Sequence, residues 1–286
     1  MIFIDQHTHS QFSPDSRMDI DSAIKKIDEI NLGYSHKTNG KSLSIGGIAF
    51  TDHLDLEAPR SNGKFNFNVA EQQREIELNR LKIESYNSQN QIKIYKGIEV
   101  GLQLCCIKDS LDFIHQYNFD VVIGSVHFID GLDPFVGSYF LDKGYKSAFG
   151  RALEVIYQNI VAFKDFDILG HFDYVTRYSP YDVKDMKYKD FGDYLDPILK
   201  FLAENGKALE INTKSYSKHK NGHLQELDPN ILKRFKELGG EFITLGSDAH
   251  SVERIGENFE KFATIAAECG FKKLTYFEKR KPHLIG

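Results

Sequence analysis

At 286 residues and 32.8 kDa, with 41% hydrophobic and 27% charged residues, the chain has a globular balance with one large core, which excludes a disordered protein. A net charge of −5 argues against a nucleic-acid surface, and no apolar stretch approaches the roughly 18 residues of a bilayer span, so neither nucleic acid nor membrane is an expected partner. Three cysteines, two of them adjacent (Cys105 and Cys106), cannot build a disulfide framework; together with an N-terminus that lacks a signal-peptide pattern they point to the cytoplasm.

In chain order, short apolar runs alternate with amphipathic segments. The runs are MIFID at 1–5, IGGIAFTD at 45–52, IKIYKGI at 92–98, FDVVIGSV at 119–126, FDILG at 166–170, ALEIN at 208–212 and EFITLGS at 241–247. Rich in Ile, Val and Phe, they read as strands buried on both faces, as in a parallel sheet. The first helix is expected over Asp19–Leu32, where Ile20, Ala23, Ile24, Ile27 and Ile30 repeat at helical spacing. Further helices are expected over Val69–Tyr86, Tyr145–Phe163 and Phe191–Ala203. Another opens at Asp228-Pro229 and closes at Gly239-Gly240, and the last runs from Glu257 to Cys269 with Gly270 as its stop. The segments 33–44 and 54–68 read as loops. Seven strand–helix units without a linker or composition shift predict one α/β barrel domain over 1–286.

Six of the seven runs end at a histidine or a carboxylate. They lead to His7-Thr8-His9, Asp52-His53, Glu99, His127, His171 and Asp248-Ala249-His250. In a parallel barrel the C-terminal strand ends converge on one mouth, so these residues are expected to meet there. His7 and His9, two apart on a strand, point to one face. Imidazole and carboxylate together are ligands for divalent zinc, iron or manganese, so a polynuclear metal site is expected. Glu99 can bridge two cations, and Asp15, close behind the first pair, joins the set. Asp52 is expected to be structural. Gly124 and Gly170 beside two of these strand ends allow close backbone approach. His36, His115 and His283 read as bland, as do His219 and His223, whose i, i+4 spacing is broken by Asn221-Gly222. Arg177 and Arg254 are candidate phosphate clamps, because a guanidinium meets phosphate oxygens in pairs. The basic stretch Lys279-Arg280-Lys281 reads as a solvated tail.

The stretches DQHTHSQFSPD, FTDHLD, GIEVG, GSVHFIDG, GHFDYVTRY and GSDAHSVERIG, in that order across nearly the whole chain, resemble the polymerase-and-histidinol-phosphatase (PHP) family, and within it the histidinol-phosphate phosphatase branch. That resemblance implies a distorted (β/α)7 TIM-like barrel with three divalent ions, zinc, iron or manganese. It would place His7, His9, Glu99 and Asp248 on the first, Glu99, His127 and His171 on the second, and Asp15, His53 and His250 on the third. Some relatives carry histidine where this chain has Asp15. Arg177 matches an arginine associated with substrate phosphate.

The expected reaction is hydrolysis of a phosphomonoester, L-histidinol phosphate, with water activated by the cations attacking phosphorus. Asp15, His53 or Asp248 would assist departure of the alkoxide. Asp173 and Tyr174 are candidates for a wall receiving the amine and imidazole of the substrate. Alternative readings are a family member acting on phosphotyrosine or another small monoester, an amidohydrolase-like enzyme, and a non-catalytic metal-binding subunit. Amidohydrolases place a bridging modified lysine where this chain offers Glu99 and His127, which favours the phosphoesterase.

Overall fold

All seven apolar runs are strands. In the computed structural model they are β1 (Ile2–Thr8), β2 (Ser44–Leu54), β3 (Lys93–Gly101), β4 (Val121–Ser125), β5 (Ile168–Leu169), β6 (Ala208–Asn212) and β7 (Ile243–Gly246). Residues 1–33, 37–38, 41–57, 66–85, 92–182, 185–216 and 225–286 are described; His36, His219, His223 and much of the two predicted loops lie outside them. The strands pair in parallel in the order in which they occur in the chain. FDILG contributes only two paired residues to β5.

The sheet closes on itself at the mouth. Thr8 bridges Ala249, the Asp248 amide donates to the His7 carbonyl at 2.8 Å, and the His9 amide donates to the Ala249 carbonyl at 2.9 Å. Below this seam the buried Asp5 carboxylate accepts amides from Ser247 at 3.0 Å and Gly256 at 3.1 Å. The β1–β2 register shifts between Asp5 and Thr8, directly beside the first ligand pair. A bulge of this kind re-aims side chains without ending the strand.

Among the described residues, eight α-helices accompany the strands: α1 (Ile20–Asn31), α2 (Val69–Ser85), α3 (Ile107–Ile114), α4 (Tyr145–Ala162), α5 (Tyr174–Arg177), α6 (Tyr188–Glu204), α7 (Pro229–Glu237) and α8 (Phe259–Glu268). The Asp19 and Asp228 carboxylates cap α1 and α7, the latter with Pro229 in its first turn as expected. In α1 the predicted stripe Ile20, Ala23, Ile24, Ile27 and Ile30 is buried. The sequence places His115 in a helix, and α3 ends against it, though periodicity did not bound this short helix and missed the single turn α5. No helix among the described residues is long and apolar enough to cross a membrane.

The C-terminus departs from expectation. Instead of a solvated tail, Leu274–Glu278 (β8) and Lys281–Ile285 (β9) form an antiparallel hairpin. Phe277 joins Ile4, Ala49, Tyr95, Ile123, Ile168 and Ala208 in a small apolar cluster apart from the main core, and its amide donates to Gln6 Oε1 at 2.8 Å. At the hairpin turn, Arg280 pairs with Asp167 and, at 2.8 Å, with Asp165, just ahead of β5. The basic residue is held by carboxylates at the N-terminal end of the barrel, away from the mouth. His283 lies on β9, stacked on Tyr276, and His115 ends α3 against Asp165 at 2.6 Å.

Candidate metal centre

The strand-end prediction is a statement about convergence, and the geometry bears on it directly. Glu99 is fully buried on β3, with imidazoles on both oxygens. Its Oε2 lies 3.3 Å from His7 Nε2, 3.4 Å from His9 Nε2 and 2.9 Å from His53 Nδ1. Its Oε1 lies 2.8 Å from His171 Nε2 and 3.3 Å from His127 Nε2. Asp248 Oδ1 stands 3.5 Å from both His9 Nε2 and His250 Nδ1. At the outer edge, Asp15 Oδ2 lies 3.1 Å from His250 Nε2 and 3.6 Å from His53 Nε2. The structure therefore brings together every predicted ligand: His7, His9, Asp15, His53, Glu99, His127, His171, Asp248 and His250.

The donor set fits cations. Among the described residues, four groups have ligating atoms within 4.8 Å of one another: His7–His9–Asp248, His7–Glu99–His171, His9–His53–His250 and His53–Asp55–His127. Glu99 Oε2 is buried without a hydrogen-bond partner among the described residues although three imidazole nitrogens face it, and His7 Nε2 faces His9 Nε2 at 3.2 Å. Lone pairs directed at one small space are what a divalent ion satisfies. Asp248 also has a left-handed backbone, φ +50°, a conformation retained at few non-glycine positions and often at functional ones.

Behind the converging groups lies a layer of carboxylates that sequence reasoning largely missed. Glu210 on β6 holds His7 Nδ1 at 2.7 Å, and Asp55 holds His127 Nδ1 at 2.8 Å. Ser13 Oγ contacts His9 Nδ1 at 3.1 Å and donates to Asp52 at 2.8 Å. Asp52 also accepts the Ser10 amide, the Ser10 hydroxyl and Gln72, each at 2.7 Å, which bears out its structural reading. Such outer partners set the ring orientation and tautomer of a metal-binding histidine. A signal was available for Glu210, the lone ionisable residue in the buried run ALEIN, and for Asp55, two residues past His53. Gly170 is required for packing: a Cβ there would stand 2.2 Å from Ser125 Oγ.

Burial alone would raise the carboxylate pKa values here. In Asp248, Lys214 and Arg177 override it and hold the group well below the usual range; in Glu99, His7, His127 and His53 do the same. Burial lowers His171, and burial with His53 and His250 nearby lowers His9 well below the usual imidazole range.

Arg177 enters this cluster from α5. Its Nη1 donates to Asp248 Oδ2 at 2.8 Å and its Nε to Ser215 Oγ at 2.9 Å, while Nη2 is buried without a hydrogen-bond partner among the described residues. Lys214, which sequence reasoning overlooked, reaches Asp248 Oδ1 at 3.0 Å and His250 Nδ1 at 3.3 Å. The two wall candidates separate. The Tyr174 ring lies 5.2 Å from His171 and 5.4 Å from His127. Asp173 is instead buried and accepts from Ser215 Oγ at 3.0 Å, so it braces the partner of Arg177. Arg254 pairs with Glu257 at 2.8 Å in a short turn packed against α1. That carboxylate already occupies the second candidate clamp.

Comparison with known proteins agrees with this architecture. The family model of the PHP domain matches residues 5–214. The chain is 34% identical over 279 residues to "Histidinol-phosphatase" of Lactococcus lactis, covering 97% of this chain and 95% of that protein. It is 32% identical over 280 residues to "Probable histidinol-phosphatase" of Clostridium acetobutylicum, covering 98% of each. A crystal structure of histidinol phosphate phosphatase from Lactococcus lactis, complexed with zinc, L-histidinol and phosphate, superposes with a TM-score of 0.82 at 31% identity, covering 99% of this chain and 100% of that one. By its motifs, its parallel seven-stranded barrel and its full-length relatives, the chain belongs to the PHP domain family.

Proposed function

We propose that the chain is a metal-dependent phosphomonoesterase that hydrolyses L-histidinol phosphate to L-histidinol and phosphate, a step of histidine biosynthesis. The observation that carries the phosphate assignment is Arg177, a buried guanidinium with one donor unpartnered among the described residues, beside the convergent ligands. The substrate assignment rests on the full-length relatives named histidinol-phosphatase and on the bound L-histidinol and phosphate in the similar structure. Residues 1–286 act as one phosphoesterase domain, and free thiols fit the cytoplasm.

Three ions, zinc in the first instance, would be held by His7, His9, Glu99 and Asp248, by Glu99, His127 and His171, and by Asp15, His53 and His250. When bound, such ions lower the pKa of a water nucleophile and offset phosphate charge. The chain's own groups supply the rest. Arg177 Nη2 donates to a phosphate oxygen while its other nitrogens stay fixed on Asp248 and Ser215. Arg254, paired with Glu257, is the weaker phosphate ligand. Tyr174 offers an aromatic face to the imidazole end of the substrate. For the leaving alkoxide, both Asp248 oxygens already accept from Arg177 and Lys214, which favours Asp15 and His53 at the outer edge as the groups that assist its departure. The test is kcat/KM of the metal-loaded protein across a panel of phosphomonoesters. Histidinol phosphate is expected to exceed p-nitrophenyl phosphate, phosphotyrosine and sugar phosphates by orders of magnitude; a flat profile overturns the substrate assignment.

A further inference from the structure

Glu210 projects from β6 into the barrel interior and is 2% exposed. Its two oxygens do different work. Oε1 faces His7 Nδ1 at 2.7 Å, while Oε2 accepts the His171 amide at 2.7 Å and the Asn212 amide group at 3.1 Å. One carboxylate thus touches β1 through a side chain and the end of β5 through the backbone. The neighbouring strand is shaped around this contact: a Cβ at Gly246 would stand 2.1 Å from Glu210 Oε1 and 2.6 Å from His7 Cβ.

An ionised carboxylate can only accept, so the proton in the His7–Glu210 bond sits on Nδ1. In the neutral, metal-binding form of the ring the other nitrogen, Nε2, directs its lone pair toward Glu99 Oε2 at 3.3 Å and His9 at 3.2 Å. We infer that Glu210 is a positioning residue that fixes the metal-binding tautomer of His7 and, through the His171 backbone, ties the first ion's ligands to the second's; this rests on the metal centre proposed above. Glutamine at this position makes a discriminating variant. It keeps the shape but has one acceptor, and the two donors at the Oε2 side claim it. Its NH2 then points at His7 Nδ1, which must accept, and the ring proton moves to Nε2, the nitrogen facing the centre.

Zinc binding to the metal-free protein, measured by competition with a chelating dye, tests this without any substrate. Glu210→Gln is expected to weaken zinc binding by about 10–100-fold. In a His7→Asn background the same change is expected to add less than about threefold, because both act through one ring. Wild-type affinity in Glu210→Gln, or losses that multiply in the double variant, overturns the inference. A readout that needs no variant is the nitrogen-15 spectrum of histidine in the zinc-loaded wild type. His7 must show a protonated Nδ1 and a metal-bound Nε2, and the opposite tautomer sinks the idea. A wild type that binds no zinc refutes the metal centre itself, whereas a flat substrate profile leaves the Glu210 result standing.

Discussion

Arg177 Nη1 lies 2.8 Å from Asp248 Oδ2, and both side chains are nearly fully buried. The opposite oxygen of the same aspartate faces His9 and His250. A candidate phosphate clamp and a candidate metal ligand are therefore bonded to each other, so the position of one constrains the other. In the proposed function, phosphate recognition and the metal centre would therefore act as one device.

Arg177→Lys keeps the charge but cannot reproduce the fork that reaches Ser215 and Asp248 together. A loss in kcat/KM of about 10²-fold is expected, the cost typical of removing one preorganised charge stabiliser, with metal content retained. Steady-state kinetics with metal analysis checks this. Unchanged kcat/KM would reduce Arg177 to a packing residue.

Glu99→Gln replaces a carboxylate that faces His7, His9, His53, His127 and His171. The variant is expected to lose bound metal and nearly all activity while folding, since its shape is preserved. Full activity with full metal content would exclude the bridging role.

Chelator treatment is expected to abolish turnover, and zinc or manganese to restore it. Because the proposed ions would bind the folded chain, their removal is also expected to lower the melting temperature; metal at 100 times its Kd contributes about 2.7 kcal/mol. Calorimetry with and without chelator reads this, and equal melting temperatures would count against tight sites.

Arg280→Ala serves as a control at the opposite end of the barrel. Burial raises the Asp167 pKa, and Arg280 pulls it back down. Without the arginine the folded-state pKa rises further above the unfolded value. The folded chain then binds the proton more tightly, so stability falls as pH increases from the ordinary carboxylate range through the raised value. A loss of about 1–3 kcal/mol at neutral pH, smaller under mildly acidic conditions, is expected from denaturant titrations, with kcat/KM unchanged. A loss that does not shrink in acid would point away from Asp167.

The strands and converging residues were legible because the signals are local. An apolar run of strand length, the i, i+2 spacing of His7 and His9, and a ligand at each strand end can all be read within a few residues. The C-terminal hairpin was not legible: its second strand, Lys281–Ile285, is largely exposed, so its sequence carries little burial pattern. Arg280 looked solvated because Asp165 and Asp167, its partners, lie more than a hundred positions away. Asp173 was assigned to a substrate wall from its place beside Tyr174, although its side chain turns to Ser215.

By itself, then, the sequence determined the barrel, the set of residues at its mouth and the family. Only the tertiary structure decided which carboxylate stands behind which imidazole. Glu210 is 203 positions from His7, and nothing in the local pattern of either strand specifies that pairing. Closure of the sheet brings them across the interior to 2.7 Å, where a buried donor and acceptor must find each other. The same closure sets Arg177 on Asp248, which gives the proposed site a direction for phosphate.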